Sequence, residues 1–459
     1  MQQEFDAIVI GAGQSGPPLA ARFAQTGQRV ALIEREHLGG TCVNDGCIPT
    51  KTLVASARAA HIARHAAEFG VQVDGAVRVD MRAVKARKDA VVNASVANLT
   101  KWLQGLPTLT LIRGEARFVA ANRVRVGDDE LSAQNIFIDV GGRPTVPDWP
   151  GIHDVPYLTN TSMMAIDTLP EHLIVVGGSY IGLEFAQMYR RFGSEVTVIE
   201  AAPRLIARED AEVSDAVRAM LEREGLTVHL GAQDLAMSRA GAGVGVEFRL
   251  GDAARSVTGS DLLLAIGRRP NTDGLGLAEA GIAVDARGYI VVDDELRTSA
   301  PGVWALGDVN GKGAFTHTSY NDFEIVAANL LDGGTRRVSD RVSAYALYTD
   351  PPLGRIGMSE AEVRASGRAA LVATLPMARI GRARERGETT GFMKVLVDAQ
   401  TQRILGAALL GIEADEVVQL LLLAMAADLP YPRITQTMWI HPTVTELLPT
   451  LFAALRPLA

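Results

Sequence analysis

The N-terminal part of the chain alternates between apolar runs and a helical stretch. Residues 5–10 form a mostly apolar run, which is typical of a buried strand, and residues 17–26 have helical spacing. A second strand is predicted at residues 29–33 and ends at Glu34. The order strand, helix, strand with short connections predicts a Rossmann-like βαβ unit.

Three glycines, Gly11, Gly13 and Gly16, lie between the first strand and the helix. In a dinucleotide-binding turn the first glycine permits the tight turn, the second lets the backbone approach a pyrophosphate, and the third allows the helix to pack on the strand. Glu34 follows at the distance, roughly 20 residues, expected for an acid that accepts hydrogen bonds from ribose hydroxyls. A glycine turn that binds nothing is the alternative, but the flanking strand and helix favour a nucleotide site.

The same unit recurs in the middle of the chain, after a strand predicted at residues 173–176. The second predicted turn contains Gly177, Gly178, Ser179, Ile181 and Gly182. Ser179 replaces the middle glycine, which adds bulk beside a pyrophosphate but leaves the turn plausible. A strand predicted at residues 195–199 then ends at the acid Glu200.

Each copy is followed by a later strand that ends in a turn of glycine, arginine and proline. These segments span residues 136–144, with Gly141, and residues 262–270, with Gly267. The repeat is therefore one of whole domains. Two dinucleotide sites in one chain predict two redox cofactors in series, a flavin and a nicotinamide.

Composition and charge exclude several classes of function. The 459 residues carry a formal net charge of -8, and no basic stripe could neutralise phosphates, so we predict no nucleic acid partner. The longest apolar run, residues 420–427, is shorter than the roughly 20 residues that cross a bilayer and predicts a buried helix segment. The N-terminus has no basic region before its apolar run, so the sequence predicts a cytoplasmic protein with no membrane segment.

The two cysteines, Cys42 and Cys47, lie close together before an alanine-rich helix predicted at residues 52–64. The positive end of that helix and the ammonium group of Lys51 favour a thiolate at Cys47. In a reducing compartment a close cysteine pair usually performs redox chemistry; a structural disulfide and half of a zinc site are the alternatives, and we predict no metal site. Asp45, between the cysteines, is expected to raise the thiol pKa values and oppose activation.

Several motifs together resemble one enzyme family. They are the two glycine turns, the segment from Cys42 to Lys51, the pair Gly307-Asp308, and the segment from His441 to Glu446. On these motifs, and over essentially its whole length, the chain resembles the pyridine nucleotide-disulfide oxidoreductases, the group that contains dihydrolipoyl dehydrogenase, glutathione reductase and mercuric reductase. The resemblance implies an α/β fold with two Rossmann-like dinucleotide-binding domains and a C-terminal α+β dimerisation domain.

The resemblance also implies domain boundaries and cofactors. FAD is expected at residues 1–150, completed by residues 271–337; NADH or NADPH at residues 151–270; and a dimer interface at residues 338–459. The expected FAD site contains Gly11, Gly13, Gly16, Glu34, Thr41, Lys51, Gly141 and Asp308. The expected nicotinamide nucleotide site contains Gly177, Gly178, Ser179, Ile181, Gly182, Glu200 and Gly267.

By the same resemblance, electrons pass from the nicotinamide to the flavin and on to Cys47, which opens the disulfide and frees Cys42 to attack the substrate. Tyr180 is similar to the tyrosine that shields the flavin until the nicotinamide displaces it. Glu184 is similar to the acid that pairs with the lysine matching Lys51. From the residues alone, Tyr180 could be a packed aromatic and Glu184 a solvated acid in a first helical turn.

Near the C-terminus, Thr443 and Glu446 have the spacing of a capping box, so Glu446 could simply close the start of an apolar helix predicted at residues 447–455. The resemblance implies that Glu446 orients the imidazole of His441, a general acid and base for the substrate thiol. The two interpretations are compatible. In the family this histidine reaches the disulfide of the partner subunit, so we predict a homodimer with shared active sites.

The sequence leaves the substrate open among a small disulfide, a lipoyl group and a soft metal ion. Ser179 and residues 345–358 look most like mercuric reductases, which end in a cysteine pair that this chain lacks. We therefore favour disulfide or lipoyl chemistry and keep reduction of mercuric or cupric ions as the alternative. Glu200 favours NADH, because an acid repels a ribose 2′-phosphate, although Arg204 and Arg208 weaken that inference.

Overall fold

The computed structural model describes residues 2–458, and its first part is the predicted strand–helix–strand unit. The elements of residues 2–144 are β1 (Gln2–Ile10), α1 (Gly16–Gln25), β2 (Val30–Glu34), α2 (Gly40–Asn44), α3 (Cys47–Arg64), α4 (Met81–Gln104), β3 (Leu109–Arg113), β4 (Ala116–Ala120), β5 (Arg123–Val126), β6 (Asp129–Ile138) and β7 (Gly142–Pro144). Strands β1, β2 and β3 are parallel, and residues 7–10 of β1 are all buried, as expected of a strand covered on both faces.

Helix α3 begins at Cys47, earlier than the predicted start at residue 52. The prediction was wrong because Pro49 lies in the first turn, where its missing N–H leaves no helical hydrogen bond unmade. As a consequence, Cys47 lies at the positive end of the helix dipole.

The second unit repeats the first. Its elements are α5 (Asn160–Met163), β8 (His172–Val176), α6 (Tyr180–Phe192), β9 (Glu195–Glu200), α7 (Ala211–Arg223), β10 (Thr227–Leu230), β11 (Ala232–Ala240), β12 (Gly243–Leu250), β13 (Ala253–Gly259), β14 (Asp261–Leu264) and β15 (Arg268–Pro270). The parallel strands have the order β10-β9-β8-β14, and β11, β12 and β13 form a separate antiparallel sheet. The predicted repeat of Rossmann-like units is confirmed.

Strands β7 and β15, which lie in the two turns of glycine, arginine and proline, pair antiparallel with Arg143 opposite Arg269. The chain then returns to the first sheet through β16 (Val303–Ala305), parallel to β6, and α8 (Thr316–Leu331). Ser319 of α8 and Ser15, beside α1, share a 2.6 Å hydrogen bond between their hydroxyls. This return places Asp308 and Thr316 at the same cavity as the first glycine turn.

A six-stranded antiparallel sheet forms the C-terminal part, in the order β17-β18-β21-β20-β19-β22. Its elements are β17 (Ala344–Leu347), β18 (Leu353–Gly357), α9 (Glu360–Ala365), β19 (Ala370–Pro376), α10 (Gly381–Glu385), β20 (Phe392–Asp398), β21 (Ile404–Leu410), α11 (Ala414–Ala426), α12 (Pro432–Thr435), α13 (Leu448–Ala453) and β22 (Arg456–Pro457). The apolar run 420–427 lies largely in α11, but only one face is buried: Leu421 is inaccessible, whereas Leu423 is 67% exposed. Within residues 2–458, no helix has the length and apolar character needed to span a bilayer.

Buried ion pairs join the three parts. Arg191 of α6 makes two 2.8 Å hydrogen bonds with the Glu224 carboxylate and also pairs with Asp350 of the C-terminal part. Arg58 of α3 pairs with the same Asp350 and, at 2.6 Å, with Glu388. Because the Arg191 side chain is only 6% exposed, its charge depends on these partners for solvation.

Arg191→Met is therefore expected to lower the free energy of unfolding by about 3–5 kcal/mol, since it leaves Glu224 and Asp350 as poorly paired buried charges. Equilibrium unfolding in urea measures the loss. The matched control is Arg218→Met, which removes an exposed ion pair with Glu222. It is expected to change the free energy of unfolding by no more than about 0.5 kcal/mol. Equal losses in the two variants would contradict a structural role for the Arg191 network.

Candidate active site

The cysteine pair lies where α2 ends and α3 begins, and both residues are free thiols. Gly39 and Gly40 turn the chain into this segment with φ values of 91° and 57°. A Cβ atom on Gly40 would lie 2.9 Å from the Cα atom of Gly13, so the cysteine segment packs directly on the first glycine turn. The redox pair and the nucleotide turn are thereby parts of one site.

The surroundings of the two sulfurs shift the pKa values of the two thiols in opposite directions. A hydrogen bond from Cys42 is the largest influence that lowers the pKa of the Cys47 thiol to about 6, and the Thr316 hydroxyl, 3.2 Å from the sulfur, and the charge of Lys51 act in the same direction. The pKa of Cys42 is raised, first by its hydrogen bond to Cys47 and then by burial. Cys47 is therefore the thiolate at neutral pH, and Cys42 holds the proton.

Thr316→Val is expected to raise the pKa of the Cys47 thiol above its value of about 6, because the thiolate loses a hydrogen-bond donor. A hydrogen bond to a charged group contributes about 1.5–3 kcal/mol, and a weak sulfur acceptor favours the low end, so the shift is roughly one pH unit. A pH titration of thiolate absorption in the reduced protein measures it. Thr316→Ser keeps the hydroxyl and is expected to restore the original midpoint; a valine variant with an unchanged midpoint would exclude this contribution.

Lys51 and Glu184 form a buried pair beside the cysteines. The Lys51 ammonium lies 2.8 Å from Glu184, whose side chain is only 7% exposed, and 4.6 Å from the centre of the Tyr348 ring. The second carboxylate oxygen of Glu184 accepts a 2.9 Å hydrogen bond from the backbone N–H of Tyr348. Glu184 is therefore not a solvated acid of a first helical turn but joins α6 to α3 at the site.

Asp45 has a structural partner. The hydroxyl of Thr161 donates a hydrogen bond to the Asp45 carboxylate, and the Asn160 side chain donates to the Asp45 carbonyl at 3.1 Å. Burial raises the pKa of Asp45. The residue therefore fastens the cysteine segment to the start of α5. The main influences that lower the pKa of the Cys47 thiol are Cys42, Thr316 and Lys51.

A cavity of about 1360 Å³ extends from the first glycine turn to the cysteines. Its lining includes Gly11, Gly13, Glu34, Thr41, Cys42, Cys47, Lys51, Gly141, Tyr180, Ile181, Glu184, Asp308 and Thr316. The volume exceeds the roughly 300–1,000 Å³ of ordinary small-molecule pockets. A Cβ atom on Gly11 would lie 2.2 Å from the Asp139 carbonyl oxygen, so only glycine fits this turn. The size of the cavity and the glycine turn that lines it fit an elongated dinucleotide such as FAD.

Glu34 and Asp139 hold the first turn in place. One Glu34 oxygen accepts a 2.8 Å hydrogen bond from the Ala12 N–H and the other a 2.7 Å bond from the Glu36 N–H, so Glu34 fixes the turn as well as facing the cavity. Asp139, at the end of β6, accepts a 2.8 Å bond from the Gly16 N–H. Complete burial raises the pKa of Asp139 well above its ordinary value. Sequence reasoning did not identify Asp139, although an acid directly after a buried strand was a usable signal.

The backbone conformation of the second turn explains why a serine can replace the middle glycine. Ser179 has an extended backbone with φ −109° and ψ −170°, a conformation open to any residue. Glycine is required instead at Gly177, which has φ 116° and where a Cβ atom would lie 2.3 Å from the carbonyl oxygen of Ala265. Glu200 accepts hydrogen bonds from the N–H groups of Gly178 and Ala202, the latter at 2.7 Å. The second turn therefore has the same acid-to-turn bond as the first.

His441 and Glu446 contact each other, with His441 Nδ1 2.9 Å from a Glu446 oxygen. The Glu446 N–H also donates a 3.2 Å bond to the Thr443 hydroxyl, so the capping contact and the histidine contact coexist. The His441 side chain is 79% exposed, and His441 is not among the residues lining the cavity of its own chain. Met438 and Ile440, which come just before His441 in the chain, also have exposed side chains.

Aromatic residues from distant segments close the side of the cavity near α6. The Tyr180 ring packs edge-to-face against Tyr345 at 5.5 Å and against Phe315 at 6.1 Å. Phe315 stacks on Tyr345 at 5.5 Å. Sequence reasoning predicted Tyr180 but missed Phe315, Tyr345 and Thr316, which no local motif distinguishes.

Comparison with known proteins agrees with this architecture. The family model "Pyridine nucleotide-disulphide oxidoreductase" matches residues 5–322, and the model of the dimerisation domain of that family matches residues 343–452. The probable pyridine nucleotide-disulfide oxidoreductase RclA of Escherichia coli (strain K12) is 39% identical over 99% of this chain and 100% of its own length. A dihydrolipoyl dehydrogenase of Thermus scotoductus is 34% identical over 96% of this chain and 95% of its own, and a mercuric reductase of Streptomyces lividans is 34% identical over 96% and 94%.

Solved structures show the same fold. The HOCl-induced flavoprotein disulfide reductase RclA from Escherichia coli superimposes with a TM-score of 0.89 at 38% identity, covering 98% of this chain and 99% of that chain, and its Cu(II) complex gives the same values. The chain therefore belongs to the pyridine nucleotide-disulfide oxidoreductase family and is a flavoprotein enzyme that uses FAD and a nicotinamide nucleotide.

Proposed function

We propose that this protein is a cytoplasmic homodimer that transfers electrons from NADH to a small disulfide or a lipoyl group through Cys47 and Cys42. The observation that carries the proposal is the asymmetry of two cysteines that line one cavity. Cys47 begins α3 and lies 3.2 Å from the Thr316 hydroxyl, where the pKa of its thiol is lowered to about 6, whereas the pKa of the Cys42 thiol is raised. The predicted division into an FAD domain (1–150 and 271–337), a nicotinamide domain (151–270) and an interface domain (338–459) is part of the proposal.

Bound FAD would supply the redox chemistry that carries two electrons from the nicotinamide to the Cys42–Cys47 disulfide. Cys47 then holds negative charge beside Lys51, and Glu184 fixes that ammonium group at 2.8 Å. Asp308 and Thr41 line the cavity where the ribityl chain and flavin edge would lie. Tyr180 lines the same cavity and would cover the flavin from the side of α6 until the nicotinamide enters.

The substrate step needs a base because the pKa of Cys42 is raised. We propose that His441 of the partner subunit accepts the Cys42 proton, and that Glu446 orients its ring through the 2.9 Å contact. Cys42 attacks one sulfur of the substrate disulfide and forms a mixed disulfide, and the released thiolate takes the proton held by the imidazolium. The Cys47 thiolate then attacks the Cys42 sulfur, which restores the protein disulfide and releases the second thiolate, which takes a proton from solvent. Lipoyl oxidation is the same sequence in reverse.

NADH is the proposed nucleotide because Glu200 lies at the end of β9, where its charge repels a 2′-phosphate. Arg204 and Arg208 are exposed on the following segment, so kcat/KM for NADH and NADPH must be compared directly. A preference for NADPH would show that these arginines and not Glu200 determine the choice.

Reduction of a soft metal ion is the second candidate. It is favoured by the likeness to a mercuric reductase and to the Cu(II) complex of RclA, and two thiols suit soft metals. On this alternative the reduced Cys42 and Cys47 bind the ion, and His441 is dispensable.

A substrate panel tests both candidates. Purified protein with FAD is supplied with NADH or NADPH and with lipoamide, glutathione disulfide, oxidised bacterial thiols, Hg(II) or Cu(II). Turnover of a disulfide or lipoamide that falls in His441→Ala supports the main proposal. Metal-dependent NADH consumption that persists in His441→Ala, without disulfide turnover, would replace it with the metal reductase.

A further inference from the structure

Two tyrosines from different parts of the chain share one carboxylate oxygen. The Tyr345 hydroxyl donates a 2.7 Å hydrogen bond to Glu209 Oε1, and the Tyr180 hydroxyl reaches the same oxygen at 3.4 Å. Their rings meet edge-to-face at 5.5 Å with an interplanar angle of 84°. Tyr180 begins α6 at the second glycine turn, Tyr345 belongs to β17, and Glu209 precedes α7.

Glu209 is a fixed anchor. Its side chain has 0% exposure, and its other oxygen, Oε2, lies 3.4 Å from Arg355 of β18. The adjacent Asp210 lies 3.3 Å from the same arginine and 3.2 Å from Lys394 of β20. The Glu209 carboxylate is therefore held in place by buried charged residues and does not move with Tyr180.

The two phenols are bound unequally. Tyr345 has the shorter bond, and its ring also stacks on Phe315 with an interplanar angle of 11°. Tyr180 has a bond near the upper limit of hydrogen-bond length and two edge contacts. When Tyr180 leaves, Glu209 Oε1 keeps its shorter bond, from the Tyr345 hydroxyl, and Oε2, which is buried without a hydrogen-bond partner, keeps its 3.4 Å contact with Arg355.

We propose that Tyr345 and Glu209 are positioning residues that set how readily Tyr180 moves aside, and therefore how tightly the nicotinamide nucleotide binds. The inference rests on the proposed covering role of Tyr180. Tyr345 donates a hydrogen bond to Glu209 whether Tyr180 covers the site or has moved aside. The free-energy cost of moving Tyr180 aside is therefore small. When only a fraction of the molecules can accept a ligand, the apparent Kd equals the intrinsic Kd divided by that fraction.

Tyr345→Phe is the test. Without the Tyr345 hydroxyl, Tyr180 is the only phenol bound to Glu209, so the covered position is favoured. We expect the apparent Kd for NAD⁺ and the KM for NADH to rise roughly 3- to 10-fold, with kcat at saturating NADH little changed. Binding of NAD⁺ is followed by the perturbation of flavin absorption in the FAD-loaded protein, without any disulfide substrate.

The decisive comparison uses Tyr180→Phe. In that background no phenol competes for Glu209, so adding Tyr345→Phe is expected to leave the Kd for NAD⁺ unchanged. Tyr431→Phe, a stacked tyrosine of the C-terminal part, is the matched control and is expected to have no effect. An unchanged Kd in Tyr345→Phe, or an equal rise in the Tyr180→Phe background, would overturn the proposal. Neither result depends on disulfide turnover, so failure here is distinguishable from failure of the proposed function.

Discussion

Replacing either cysteine by serine is expected to lower disulfide turnover at least about 10³-fold, as expected when a nucleophile is removed. The two variants are expected to differ in their spectra. Cys47→Ser loses the long-wavelength absorption of a thiolate beside a flavin. Cys42→Ser has that absorption without any reduction, because Cys47 no longer has a disulfide partner.

The physical reason is the asymmetry of the pair. Cys47 has its thiol pKa lowered to about 6 and stays ionised beside Thr316 and Lys51, and the serine hydroxyl at position 42 can donate the hydrogen bond that Cys42 donated. Because the pKa is depressed, the absorption is present above about pH 6 and is lost as the pH falls through that value. Protonation at low pH thus removes the thiolate without unfolding the site.

Absorption spectra of both FAD-loaded variants, recorded across a pH titration, measure this prediction. The matched control is Thr50→Ser, a conservative change at a buried position between Cys47 and Lys51 that keeps both thiols. Long-wavelength absorption in Cys47→Ser and not in Cys42→Ser would reverse the order of the two cysteines.

His441→Ala is expected to lower kcat/KM for a disulfide substrate by about 10²–10⁴-fold, the usual contribution of a general acid or base. Reduction of the flavin by NADH is expected to stay unchanged, because His441 is proposed to act only on the Cys42 proton in the substrate step. Stopped-flow kinetics separate the two half-reactions. Glu446→Gln keeps a hydrogen-bonding side chain next to the histidine and is expected to cause a smaller loss.

A subunit-mixing experiment tests whether the histidine acts across the interface. A heterodimer of one His441→Ala subunit and one Cys42→Ser subunit has a single site with both cysteines and the partner's histidine intact. Mixing the two inactive variants is therefore expected to restore activity in one of the two sites. Activity that stays absent in a verified heterodimer would show that His441 does not serve the opposite subunit.

The sequence by itself determined the features that depend on neighbouring residues. The two glycine turns were predictable because a strand, a tight turn and a helix need glycine at particular steps, as at Gly11, where a side chain would meet Asp139. The cysteine pair and Lys51 were predictable because they lie within ten residues of each other, with Cys47 and Lys51 one turn apart on α3. The start of α3 was predicted at residue 52, whereas the helix begins at Cys47 and has Pro49 in its first turn.

Only the tertiary structure decided which residues surround those motifs. Thr316 lies 269 residues from Cys47 in the chain, yet contacts its sulfur. Tyr345 and Glu209 are 136 residues apart and share a hydrogen bond, and Asp45 is held by Thr161 from the second unit. The contact of Thr316 with Cys47 follows from the return of the chain to the first sheet through β16, and the contact of Tyr345 with Glu209 follows from the packing of β17 against the second unit. Such packing depends on the simultaneous burial of distant segments, which no local pattern specifies.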